Sequence, residues 1–236
     1  REATLAGLDS DRAPAPILDA LRAVPRERFV PLDTIGDAHK DEAIPLDGSG
    51  DTSVSAFHAY ARTFTLAGIS KGMHVLDLGA GTGYGTALLA TIVGEAGGVL
   101  GVELDPKLVA IGAETLAAWP HATLVAGDAF AREFAEDDRW DAIVVGFTIA
   151  EIPSTWRRPG RIIVAPVAVA GSATDARLTR ATCTEEGVET EVFEAVRYVR
   201  TRGAVDLEQD GANAPQIRAT SGTSTRTRRA LPVVAR

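Results

Sequence analysis

The stretch VLDLGAGTGYG, Val75 to Gly85, runs from apolar residues through an acid into a turn with four glycines in seven residues. An apolar strand that ends at such a turn sets backbone N–H groups and a helix N-terminus at the C-terminal edge of a sheet, where ligands bind. The sequence downstream keeps alternating. HVLDLG (74–79) is a buried strand and TALLATIVG (86–94) a helix; GVLGVELD (98–105) is a strand and PKLVAIGAETLAAW (106–119) a helix opened by Pro106. ATLVAGD (122–128), WDAIVVGF (140–147) and GRIIVAPVAV (160–169) are three further strands. Strands alternating with helices predict an α/β fold built on a doubly wound parallel sheet.

The flanks are less regular. Ile17, Leu18 and Leu21 in PAPILDALRA (14–23) fall at helical spacing before Pro25, and VPRERFVP (24–31) is a connector bounded by prolines. Residues 34–52, rich in Asp, Gly and Ser, read as loop, and 53–68 as a helix with Phe57, Tyr60, Ala61 and Phe64 on one face. After 171, DARLTRATC and VETEVFEAVRYV are either strands at a mixed sheet edge or a small appended subdomain. From about Asp210, Gly, Thr, Ser, Pro and Arg dominate and predict a flexible basic arm. The chain therefore divides into a helical and loop region (1–68), a core (69–170) and a C-terminal extension (171–236).

The net charge of −8 argues against a nucleic-acid partner, because such binders neutralise phosphates with a basic surface. A single cysteine, Cys183, rules out an internal disulfide and a cysteine-based zinc site, and fits a reducing cytoplasm. Four scattered histidines give no metal-ligand spacing. No run is long enough for a membrane-spanning helix, so no membrane partner is expected.

The glycine turn excludes two common readings. A dinucleotide fingerprint needs glycine five positions after its first, but those positions hold Tyr84 and Thr86, and no Gly-Lys-Ser/Thr follows to make a phosphate loop. What remains is Asp77-x-Gly79-x-Gly81-x-Gly83 with Glu103 closing the next strand. This resembles the first motif of class I methyltransferases that use S-adenosylmethionine, and implies their Rossmann-like sheet, here with N-terminal and C-terminal extensions. The glycines let the backbone lie against the cofactor. Glu103, rather than the helix-opening Asp105, suits the ribose hydroxyls. Asp128 suits the adenine amino group, with the Ala129 amide, and Asp77 holds the turn and, through water, the ammonium. The implied cofactor contacts are Asp77, Gly79, Ala80, Gly81, Gly83, Glu103, Leu104, Asp128 and Ala129, with S-adenosylhomocysteine as the product. Other readings of the turn are a different ligand on the same fold, or none.

AHKDEAIPLDGSGDTSVSAFHAYA (38–61), fifteen residues, then DLGAGTGYG resembles the protein-L-isoaspartate O-methyltransferases. VPRERFVP, WDAIVVG, Pro153 and PGRIIVAPV (159–167) match as well, so the resemblance covers about Val24 to Val167. Counting without gaps from either side puts the family's active-site serine on Ser53, with Thr52 and Ser55 as neighbours if the register slips. Ser53 or Ser55 also reads as an N-cap of the following helix. The resemblance implies methylation of an aspartyl or isoaspartyl carboxylate in a peptide or protein, giving an ester that cyclises to a succinimide. A carboxylate is already a nucleophile at neutral pH, so positioning in a dry site suffices and no general base is needed.

Most departures lie at the acceptor end: His39, Ala43 and Gly50-Asp51 stand where the family has tyrosine, proline and Gln-Thr, whereas Ala129, in place of a glycine, is beside the adenine-binding Asp128. They lean the expectation toward a branch that tailors a dedicated ribosomally made peptide of the lanthipeptide or lasso type. General repair of isoaspartyl protein is the alternative, and a non-catalytic nucleoside-binding protein is the rival from another class. GFTIAEIP after the fourth strand lacks the Asn-Pro-Pro-Tyr of base methylation. His58 reaches the cofactor pocket or is a packing residue, and Tyr84 packs on the cofactor or in the core. His74 and His121 are surface residues, the three tryptophans and Cys183 are packing, and Glu151 and Pro153 are candidate substrate contacts.

Overall fold

In the computed structural model, residues 2–8, 13–47, 52–172 and 175–199 are described, with the backbone of 227–229. The sheet is built from β3 (His74–Leu78), β4 (Gly98–Glu103), β5 (Ala122–Ala126), β6 (Ala142–Val145), β7 (Ile162–Ala168), β8 (Ala176–Thr184), β9 (Gly187–Val196) and β10 (Thr227–Arg229). The spatial order is 5-4-3-6-7-8-9-10. Strands β3 to β7 are mutually parallel, β8 runs antiparallel to β7, β9 antiparallel to β8, and β10 parallel to β9. The five strands read from the sequence are all present. The two ambiguous segments are β8 and β9, which extend the same sheet, so it is mixed rather than purely parallel. The predicted arm lies outside the described residues except at β10, where three of its residues form a strand instead.

Helices α1 (Glu2–Ala6), α2 (Ala15–Ala23), α3 (Phe57–Ala67), α4 (Tyr84–Val93), α5 (Pro106–Leu116) and α6 (Arg132–Ala135) surround the sheet. Alternation along β3 decides what faces what, since successive side chains point to opposite faces. Val75 packs with Ile17, Leu21, Phe64 and Leu88 of α2, α3 and α4. Leu76 and Leu78 pack on the other face with Trp140, Ile143 and Trp156. Asp77 shares the face of Val75, which brings it under α4. Trp140 and Trp156 are buried packing residues, as is Cys183.

The N-terminal region differs from its sequence reading. Helix α3 begins at Phe57, not residue 53. Ser53 and Val54 form β2 (Ser53–Val54), paired antiparallel with β1 (Ile44–Pro45) inside the stretch read as loop. The same stretch overlaps a 3₁₀ helix at Leu32–Asp37, and another lies at Arg26–Phe29. Ala56 is the N-cap of α3, with no side-chain cap, so neither Ser53 nor Ser55 caps the helix. Tertiary contacts override local helix propensity here: Arg26 claims the carbonyls of Val54 and Ser55.

Candidate active site

From β3 the chain steps outward through β4 to β5, then returns to the other side of β3 as β6. Connections leaving β3 and β6 in opposite directions open a crevice at the strands' C-terminal ends. A cavity of about 290 Å³ fills it, walled by Gly79 and Gly81 after β3, Glu103 and Leu104 after β4, Asp128 and Ala129 after β5, and Gly146 and Phe147 after β6. Thr52 and Ser53 close it from the β1–β2 hairpin, and Val199 from beyond β9.

The turn is shaped for close approach. Gly79 has φ 77°, and a Cβ there would sit 2.5 Å from the Phe147 ring. The Gly79 and Ala80 amides both donate to the Val102 carbonyl, at 2.9 and 3.1 Å. Glu103 takes the next amide: Oε2 accepts from Gly81 N–H at 2.8 Å and Oε1 from Asp105 N–H at 3.0 Å. Its carboxylate therefore sits at the cavity wall, spanning two loops. Asp105 is the N-cap of α5, accepting from Lys107 N–H at 2.8 Å. Asp128 accepts from Phe130 N–H at 2.9 Å, and Phe130 stacks on Trp156 with ring centroids 5.4 Å apart. Gly83 is not brought to the cavity. It precedes α4 with φ 84°, and a Cβ there would strike Leu116 at 2.7 Å, which makes it a packing glycine.

Behind the turn lies a second, smaller chamber of about 40 Å³, bounded by Ser53, Ser55, Tyr60, Thr63, Asp77 and Tyr198, with Ala80 in its wall. Asp77 is buried, and its Oδ2 accepts from Thr86 Oγ1 at 2.7 Å. Burial raises the Asp77 carboxyl to about 6; the Thr86 hydrogen bond opposes the rise and the Glu103 charge adds to it. Tyr84 borders this chamber but is 1% exposed, with its ring against Phe29 and Tyr60, so packing is its evident role.

Outside, a third cavity of about 520 Å³ forms a groove over α3, between Glu42 and Ala43 on one side and Glu194 to Val199 on the other. Ser53 and Gly146 line all three cavities. At Gly146 a Cβ would lie 2.8 Å from the Gly79 carbonyl oxygen, so the passage is bounded by backbone. His58 is in the groove rather than the cofactor cavity, its Nδ1 3.0 Å from Asp41. Glu151, Ile152 and Pro153 do not line any of the three cavities.

Several contributors were missed from sequence. Arg26 is fully buried, and its guanidinium donates to the carbonyls of Lys40, Glu42, Val54 and Ser55 at 2.7 to 3.1 Å while lying 4.7 Å from the Phe57 ring centroid. It ties the segment leading into β1 to β2, the strand that carries Ser53. Thr82 Oγ1 donates to the Phe29 carbonyl at 2.6 Å and fastens this region to the glycine turn. At the other end, Thr148 N–H donates to the Val199 carbonyl at 2.8 Å, which holds Tyr198 and Val199 over the cavities. The only sequence hints were an arginine between prolines and an aromatic just after the segment that forms β9.

The residues fit a nucleoside with an amino-acid arm. Glu103, Asp105 and Asp128 border the cavity of about 290 Å³, glycine backbone floors it, and the Thr52 hydroxyl is buried there with no hydrogen-bond partner among the described residues. A buried hydroxyl without a partner is costly unless something else satisfies it.

Comparison with known proteins bears on the family and the fold. The family model for protein-L-isoaspartate(D-aspartate) O-methyltransferase matches residues 5–206. Protein-L-isoaspartate O-methyltransferase 2 of Anaeromyxobacter sp. (strain Fw109-5) is 36% identical over 191 residues, 79% of this chain and 75% of the relative. A solved protein-L-isoaspartate O-methyltransferase superposes with a TM-score of 0.77 at 24% identity, over 89% of this chain and 69% of its own. A Plasmodium falciparum structure named for the same activity, solved with S-adenosyl-L-homocysteine, superposes with a TM-score of 0.70 at 16% identity, over 85% of this chain and 97% of its own. The two structures speak to the fold, a Rossmann-like methyltransferase sheet with extensions. The family model and the Anaeromyxobacter relative speak to descent: this chain belongs to the protein-L-isoaspartate(D-aspartate) O-methyltransferase family.

Proposed function

We propose that this chain methylates the free carboxylate of L-isoaspartyl residues in peptides and proteins, using S-adenosylmethionine. The observation that carries the reading is that Ser53 and Gly146 border the acid-walled cavity, the chamber behind it and the outer groove at once. A donor in the first two and an acceptor in the third meet only at that junction. When bound, S-adenosylmethionine supplies a sulfonium methyl group that a carboxylate oxygen takes in one displacement, leaving S-adenosylhomocysteine.

The chain's own residues bind, orient and exclude water. Glu103 accepts the ribose hydroxyls, Asp128 and the Ala129 amide read the adenine edge, and Gly79, Ala80, Gly81 and Leu104 supply backbone and apolar walls. Thr52 provides the unpartnered hydroxyl, and ionised Asp77 faces the ammonium end. Ser53, held from below by Arg26, donates its hydroxyl to the acceptor carboxylate and fixes its attack line, with Ser55 beside it. No residue has to remove a proton.

The matching family model and the Anaeromyxobacter relative are both named for isoaspartate. That favours general isoaspartyl recognition over the tailoring of one dedicated peptide that the departures at His39, Ala43 and Gly50-Asp51 suggested. The test is methyl transfer to an isoaspartyl hexapeptide beside the same peptide with normal aspartate. Turnover of the first alone supports this reading, and turnover of neither would overturn it.

A further inference from the structure

The outer groove holds five acidic or basic side chains: Glu42, His58, Arg62, Glu194 and Arg197. Three of them are already engaged. Arg62 Nε and Nη2 donate to the two Glu194 oxygens at 2.7 and 3.1 Å, and the Arg62 guanidinium lies 5.1 Å from the Phe193 ring centroid. His58 is paired with Asp41 at 3.0 Å. The floor of the groove is thus preformed, with the Arg62 charge met by Glu194. The remaining two charges have no ion-pair or side-chain hydrogen-bond partner among the described residues, and they stand on opposite walls. Glu42 comes from the segment that leads into β1, and Arg197 from the segment that follows β9.

Both walls are fixed in place. Arg26 Nη2 holds the Glu42 carbonyl at 2.7 Å. On the far wall, the Thr148–Val199 hydrogen bond anchors the backbone two residues past Arg197. The groove reaches Ser53 and Gly146 at its inner end. A peptide whose acceptor carboxylate lies at Ser53 therefore lays its neighbouring residues between one acid and one base.

We infer that this groove selects among peptides by the charges flanking the acceptor: a cation is favoured on the flank that meets Glu42, and an anion on the flank that meets Arg197. The inference rests on the reading of Ser53 as the acceptor end of the site. Exposed pairs of this kind give modest discrimination, about three- to fivefold per charge at low ionic strength, and salt reduces it. Arg62 does not contribute, because Glu194 already meets its charge.

The test is a series of hexapeptides with one isoaspartyl acceptor and a single Ala, Lys or Glu at each flanking position. They are assayed for kcat/KM with the wild-type chain and with Arg197→Gln, Arg197→Glu and Glu42→Gln. The expected result is a preference for Glu on one flank that Arg197→Gln flattens and Arg197→Glu turns into a preference for Lys. A preference for Lys on the other flank is flattened by Glu42→Gln alone. These changes fall on KM, leave kcat within about twofold, and shrink in 0.5 M salt. Equal kcat/KM across the wild-type series, or preferences that survive all three substitutions, would overturn the inference while leaving the methyltransferase reading standing. A uniform loss in Arg197→Gln, equal for neutral and charged peptides, would also overturn it, by assigning Arg197 to the acceptor itself. Absence of turnover on every peptide would remove the underlying reading first.

Discussion

Arg26 Nη2 donates to the carbonyl oxygen of Ser55 at 2.8 Å, two residues beyond Ser53 on the same extended segment. One buried cation thereby governs where the hairpin stands relative to the glycine turn. Lysine keeps the charge but loses the planar fork that reaches four carbonyls at once. Arg26→Lys should lower kcat about tenfold while the cofactor Kd stays within about twofold, because the hairpin loosens at its Ser53 end. Arg26→Met leaves buried carbonyls unmet and should cost about 3 kcal/mol in urea unfolding. Turnover, calorimetry and unfolding on the same preparations check the pair.

Ser53→Ala removes one hydroxyl at the meeting point of the three cavities. A hydrogen bond to a charged acceptor contributes about 1.5 to 3 kcal/mol, so turnover should fall about ten- to a hundredfold. Cofactor affinity should change little. Thr52→Val should do the reverse, weakening the cofactor with a smaller effect on kcat, since its hydroxyl, without a partner among the described residues, is on the cavity side. Titration calorimetry and steady-state kinetics separate the two.

Glu103 and Asp105 are two residues apart and do different work. Glu103→Gln keeps the shape but weakens acceptance from Gly81 N–H, Asp105 N–H and the ribose, so cofactor Kd should rise at least about tenfold. Asp105→Ala removes the cap of α5 and should cost about 1 kcal/mol of stability, with a smaller change in Kd. Thermal unfolding and calorimetry distinguish these outcomes.

Asp77 gives a pH dependence of unusual sign. Its folded carboxyl titrates at about 6, above its unfolded value near 4, so between these limits the folded state binds more protons. Stability contributed by the protonated form is complete below about pH 4 and is lost as pH rises through 6, by about 3 kcal/mol. Asp77→Asn should remove that loss, and the gap between the variants should widen from pH 4 to 7 in denaturant titrations. Ionised Asp77 facing an ammonium predicts that cofactor affinity climbs through the same window in the wild type and stays flat in Asp77→Asn.

The sheet core was legible because each strand is a short apolar run bounded by turn residues, and because Asp77, Glu103 and Asp128 fall at or beside strand ends. Burial on both faces writes itself into composition. The hairpin was not legible. Ser53 to Ala56 carry no strong local preference, and their extended course is imposed by Arg26, 27 to 30 positions upstream. Gly83 illustrates a related limit: a glycine required by the packing of Leu116 looks the same in sequence as one that borders a ligand. Gly146, Tyr198 and Val199 reach the site through long-range contacts with Gly79 and Thr148 that no local pattern encodes.

The most direct test of the whole account follows labelled methyl from S-adenosylmethionine onto an isoaspartyl hexapeptide and its normal aspartyl twin, with wild type and Ser53→Ala side by side. The account predicts base-labile label on the isoaspartyl peptide alone, released as methanol, and a drop of about tenfold or more in the variant at unchanged cofactor affinity. Label on neither peptide, or equal label with and without the Ser53 hydroxyl, would contradict it.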